Sequence, residues 1–157
     1  MAELDIKGFD AFAANLEAAR DLSEEEAYRI LEAGGDVVKR SMQAKLTALG
    51  LVLSRRLVDS IKVVRKVLAG APYVLIFPQG KHHSYHGRDG KGHRGKGSLK
   101  TADASEVAFV FEYGAPSRHI PAYHWMEQAI GESEAETTEA MQEEFNAILD
   151  SKGVGRQ

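Results

Sequence analysis

The feature that most constrains this chain is a long helical stripe that begins at residue 22. Leu22-Ser23-Glu24-Glu25-Glu26 has the pattern of a helix start. Ser23 supplies the cap, Glu26 stands three residues on, and the acidic first turn complements the helix dipole. From there Ala27, Ile30, Leu31, Gly34, Val37, Val38, Ser41, Met42, Lys45 and Leu46 recur at helical spacing, to about Leu49. Gly34-Gly35 interrupts the stripe at a cost of about 1 kcal/mol per glycine relative to alanine. That leaves two readings: close approach of another backbone at Gly34, or a local kink.

The remaining elements follow from period and punctuation. Phe9, Phe12, Ala13, Leu16 and Ala19 predict a short amphipathic helix over Gly8–Arg20. Ser54–Ser60 reads as one helical turn before a strand. Ile61–Val67 and Tyr73–Phe77 are β-branched and aromatic runs around Leu68-Ala69-Gly70-Ala71-Pro72, which is a hairpin pattern. Glu106–Tyr113 reads as a third strand, with Glu112 alternating away from Phe111 and Tyr113 toward solvent or a neighbouring subunit. Pro121 then opens a helix and Gly131 ends it. Ser133 and Glu136 repeat the capping pattern before a last helix that buries Thr138, Met141, Phe145, Ile148 and Leu149. The expectation is an α+β fold: N-terminal helices, a small antiparallel sheet with a long basic inter-strand arm, and C-terminal helices packed on the sheet.

Composition narrows the function classes. At 157 residues the chain is expected to be one domain over residues 1–157, with an extended arm at 80–105. No cysteine is present, which removes disulfides, thiolate nucleophiles and cysteine-ligated zinc together. The net charge of −3 is not that of a bulk polyanion binder. No apolar run approaches the roughly 20 residues of a membrane span. The first ten residues lack a basic-then-apolar signal, so the chain is expected to be made in the cytoplasm.

Gly80–Ser105 is the compositional outlier. It holds His82, His83, His86 and His93, and the cations Lys81, Arg88, Lys91, Arg94, Lys96 and Lys100 against two acids, Asp89 and Asp103. Three readings compete. Metal binding would pair His82 with His86 on a helix, but the glycines oppose a helix and no acidic cluster or cysteine completes a site. Contact with phosphates or an acidic protein surface suits a cationic loop on an acidic chain. The third reading is a solvated hairpin tip, or an arm that orders against a neighbouring subunit. The six cations are the candidate contacts to a partner or to DNA.

Catalytic patterns are weak. No serine sits in a Gly-x-Ser-x-Gly elbow, and no phosphate-loop or dinucleotide glycine pattern appears. His119 and His124 flank Pro121 near Glu112, an imaginable acid/base group without evident positioned partners. No catalytic residue, cofactor or metal ligand is assigned, and an enzyme is not expected.

Phe111-Glu112-Tyr113-Gly114, a short loop, Ile120-Pro121-Ala122, then Trp125-Met126 and Ala129 resemble the tailed-phage head-to-tail joining proteins, the neck or tail-completion proteins of siphophages and their prophages. Leu57-Val58-Asp59-Ser60-Ile61 is similar to the family's Leu-x-x-Ser-Ile motif, and Ile6-Lys7-Gly8-Phe9 ahead of a first helix also fits. The resemblance implies structural roles for Leu57, Ser60, Glu112, Tyr113, Gly114, Pro121, Trp125 and Ala129. It implies a virion protein of the neck or tail end, assembled with itself into a ring, a hexamer by preference. The implied partners are a head connector or head-completion protein, and a tail terminator or tail tube protein. DNA in the channel is a further candidate partner. The rival reading is a nucleic-acid-binding module that uses the basic arm.

Overall fold

The computed structural model describes residues 20–51, 56–88, 91 and 93–153; the side chains of residues 85–88, 94 and 96 are not part of the description. The helix expected over Gly8–Arg20 lies almost entirely outside these residues, as do Ser54 and Arg55 of the turn expected ahead of the strand. Eight elements follow in order: α1 (Glu24–Ala48), α2 (Arg56–Ser60), β1 (Ile61–Leu68), β2 (Ala71–Pro78), β3 (Lys81–Arg88), β4 (Arg94–Asp103), α3 (Ala104–Tyr113) and α4 (Trp125–Ser151). A short 3-10 turn at Pro116–Arg118 lies between the last two. The fold is α+β. Among the described residues no helix is long and apolar enough to cross a membrane.

α1 forms where its capping signal says it should. The Ser23 hydroxyl accepts from the Glu26 amide at 3.2 Å, and the Glu26 carboxylate accepts from the Ser23 amide at 2.8 Å. The helix runs unbroken through Gly34 and Gly35, and both glycines are contact points. A Cβ on Gly34 would stand 2.7 Å from Met141 Cγ on α4, and one on Gly35 would stand 3.0 Å from Val63 Cγ1 on β1. One glycine thus admits α4 and the other admits the first hairpin. The close approach at Gly34 is made by a side chain of the facing helix.

α1 and α4 lie antiparallel. Arg29 pairs with Glu144, Arg40 with Glu136, Lys45 with Glu132, and Lys152 with Glu26, so the partner on α4 moves backward as α1 advances. The Ser41 hydroxyl donates to the Ala129 carbonyl at 2.8 Å and ties α1 to the first turns of α4. β1 and β2 form a hairpin that pairs Ile61 with Pro78 through Leu68 with Ala71. Its two-residue turn holds Ala69 at φ 51° and Gly70 at φ 83°, the positive values that this tight hairpin class requires. Arg65 on β1 clamps the hairpin to α1 with hydrogen bonds to both Glu25 and Glu32. Below this, Met42, Leu46, Leu57, Ile61, Ala104, Ala108, Trp125 and Ala129 close the core.

Four expectations need correction. Residues 106–113 are not a strand but part of helix α3. The Asp103/Glu106 pair forms a capping box, and Ala104 and Ala108 bury one turn apart, which fits a helical period and not a strand alternation. Pro121 does not open the next helix; it lies exposed in the irregular run before α4, which starts at Trp125. Gly131 does not end that helix, and Ser133 does not cap another. Ser133 is buried, and its hydroxyl donates to the Ala129 carbonyl at 2.8 Å, so α4 continues to Ser151. The 80–105 arm takes the form of a hairpin, β3 with β4, and its last two residues belong to α3.

Candidate functional site

The basic hairpin stands apart from the α1/α4 layer. β3 and β4 pair antiparallel from Lys81 opposite Asp103 to Arg88 opposite Arg94, with irregular register at Lys81/His83 and His86/Arg88. Beyond their own pairing, these strands lie against α3. The base is tied down by the Ala104 amide donating to Gly80 O at 2.9 Å and by Arg56 Nη1 donating to His82 O at 3.0 Å. The six cations predicted as contacts are not equivalent. Lys81 is held by Asp103 at 2.6 Å, a hydrogen bond that raises its pKa. Lys100 is exposed opposite Tyr85, Lys91 is exposed between the strands, and the backbones of Arg88 and Arg94 pair in register toward the far end. Lys96 lies on β4.

At the hairpin's base the fold makes a groove that the sequence did not reveal. A cavity of about 610 Å³ opens between the hairpin and α3, with Leu51, Val107, Val110, Phe111 and Ile120 as its apolar lining. Its polar rim holds His82, His83, Glu106 and Arg118. The two histidine rings meet edge to face, with Nδ1 atoms 2.7 Å apart. Burial, the neighbouring His83 and Arg56 together push the His82 pKa down. The groove was invisible because a strand over 106–113 would place Val107 and Phe111 differently. The Asp103/Glu106 capping pair was the available signal. The helical pairing of His82 with His86 does not arise, since both lie on β3.

The corner from Glu112 to Trp125 is built for structure. Glu112 is only 4% exposed, which overturns its reading as a solvent-facing strand residue. Its carboxylate accepts from the Met126 amide at 2.7 Å and from the Glu127 amide at 3.4 Å. It therefore caps α4 from α3, where the positive end of the helix dipole favours an anion. His124, the residue preceding the helix, has φ 49° and makes no side-chain cap. Gly114 ends α3 at φ 77°, and a Cβ there would meet Ala122 N at 2.8 Å and Ile120 O at 2.9 Å. Trp125 and Ala129 are fully buried, and Trp125 Nε1 donates to Ala108 O at 3.2 Å. Leu57 is buried, and the Ser60 hydroxyl closes on Leu57 O at 2.6 Å. Tyr113 is exposed and stacks on Phe109 at 4.6 Å between ring centroids.

The same corner brings Glu112, His124 and Glu127 together, with one ligand atom of each within 4.8 Å of the others. Two facts argue against a cation there. Both Glu112 oxygens already hold helix amides, and a helix N-terminus repels positive charge. The same engagement removes Glu112 from general-base work with His119 or His124.

A family model described as "Bacteriophage HK97-gp10, putative tail-component" matches residues 10–88. No curated protein and no solved structure matches the chain. The matched span holds α1, α2, the Leu57–Ile61 motif, the first hairpin and β3. The Phe111–Ala129 motif lies beyond it.

Proposed function

Since this chain belongs to the HK97-gp10-like family of phage tail components, we propose that it is a structural assembly protein of the virion, placed at the neck or tail end to join the head connector to the tail. A tail component has a structural role in the virion and meets other virion proteins there; the joining role, the ring and its partners are our reading. Subunits associate around an axis through a head-to-tail interface that closes on itself, a hexamer by preference. The whole chain acts as one joining domain, with the 80–105 hairpin as its arm. One ring face meets a head connector or head-completion protein, and the other meets a tail terminator or tail tube protein. Its work is geometric, and no residue is assigned a catalytic role.

The observation that carries this reading is the family match across α1, α2 and the first hairpin. The basic hairpin that follows supports it, because a projecting arm suits contact with a neighbour. Lys81, Arg88, Lys91, Arg94, Lys96 and Lys100 are its proposed contacts, and Leu57, Ser60, Glu112, Tyr113, Gly114, Pro121, Trp125 and Ala129 hold the frame. Disrupting the gene in the phage that encodes it, followed by negative-stain microscopy, tests the role. Filled heads beside free tails are expected; intact virions would end the proposal. A copy lacking Lys81–Lys100 should fail to restore joining.

A second reading has its own support in the six cations of the hairpin, which suit a phosphate backbone. In that case the isolated protein binds DNA with an affinity that falls steeply as salt rises. Absence of binding at low salt removes it.

A further inference from the structure

The groove at the base of the hairpin has a complement on the molecule itself. α4 carries eight acidic residues and no lysine or arginine. Glu132, Glu136 and Glu144 are committed to cations of α1. On another part of the helix, Glu127, Ile130 and Glu134 stand three and four residues apart, so they form one stripe. Ile130 is 53% exposed, unusual for a large apolar side chain between two acids. Among the described residues, Glu134 pairs with no base.

The groove offers the opposite pattern. Its floor is apolar, through Val107, Val110 and Ile120. Arg118 on its rim pairs with no acid among the described residues, and His82 and His83 line it from the hairpin, a segment that carries six basic residues against two acidic along its length. The apolar surface continues onto the outer face of α3. Val110 precedes Tyr113 by three residues and Glu106 precedes Phe109 by three, and Phe109 and Tyr113 are 60% and 58% exposed. An exposed apolar patch of this kind, rimmed by charge, marks an interaction surface.

We propose that this groove receives helix α4 of a second copy of the chain, with Ile130 seated on Val107, Val110 and Ile120, and with Glu127 and Glu134 facing Arg118 and the hairpin. Groove and stripe are different surfaces, so the contact is head to tail, the type that generates rings. The inference rests on the ring reading given above and supplies its interface.

The test is the oligomeric state of the full chain by sedimentation and light scattering. Wild-type protein is expected to associate. Arg118→Glu and Glu134→Arg should each weaken association about tenfold or more, because each sets like charges together. The double variant, which exchanges the two signs, should restore it. Ile130→Asp should give monomers. All these positions are exposed, and unchanged thermal melts confirm that folding is intact. Wild-type protein that stays monomeric would overturn the inference. So would variants that associate like wild type, or a double variant that fails to recover. In the second case the ring stands and uses another surface, and particle microscopy with the same variants reads the joining role separately. If Arg118→Glu instead abolishes low-salt binding of duplex DNA and leaves association unchanged, the groove serves nucleic acid and the inference falls.

Discussion

The residue ahead of α4, His124, has a left-handed backbone and a side chain that caps nothing, so the first amides of that helix turn to Glu112. Removing the carboxylate leaves these partly buried donors without their acceptor. Glu112→Ala is expected to lower stability by about 1–3 kcal/mol in urea denaturation. Glu112→Gln keeps an acceptor for one of the two amides and loses both the second acceptor and the charge at the helix dipole, with an expected smaller loss of about 1 kcal/mol. Equal losses for the two would show that the amide acceptor contributes nothing. Gly114 is constrained differently. Its φ of 77° disfavours a side chain, and the atoms a Cβ would meet are backbone and cannot swing aside. Gly114→Ala should therefore cost about 1–3 kcal/mol, read by the same denaturation.

Among the elements, two glycines on facing helices should respond with opposite sign. A Cβ at Gly131 meets nothing within 4 Å, so Gly131→Ala is expected to stabilise by about 0.5–1 kcal/mol. At Gly34 even a methyl must push Met141 aside and crowd Thr137, and Gly34→Leu is expected to destabilise by about 1–3 kcal/mol. Thermal melts of the two variants settle the comparison. The same elements show what was readable in advance. α1 and the first hairpin were legible because their signals are local: a serine cap with its glutamate, and a two-residue turn between β-branched runs. α3 was misread because Val107, Phe109, Val110 and Phe111 satisfy strand propensity, while its helix is decided by Asp103, Glu106 and the burial of Ala104 and Ala108. The break expected at Gly131 and Ser133 was overridden by packing of α4 along the whole length of α1, which no local window contains. The groove depended on α3 and so was lost with it, whereas the basic hairpin beside it was plain from composition.

Across the whole molecule, acidic residues of α1 hold both the hairpin and the last helix. Arg65 lowers the pKa of Glu25 and Glu32, and the Ser23 amide with Lys152 takes Glu26 down to about 2. Each folded value lies below the ordinary 4.5, so their stabilisation is present above that pH and is lost as pH falls toward 2. The thermal midpoint should hold between pH 7 and about 5 and drop steadily below it. Glu26→Gln should make that drop shallower, and an unchanged slope would remove Glu26 from the account. The antiparallel pairing of α1 with α4 also has a meaning in time. Ser41 meets Ala129 across 88 residues of sequence, and Glu26 meets Lys152 across 126. On the ribosome, the apolar stripe of α1 emerges roughly 5–20 s before the helix that covers it. A nascent chain halted at Tyr123 should thus be cut readily by protease within α1, and the complete chain released from the ribosome should resist.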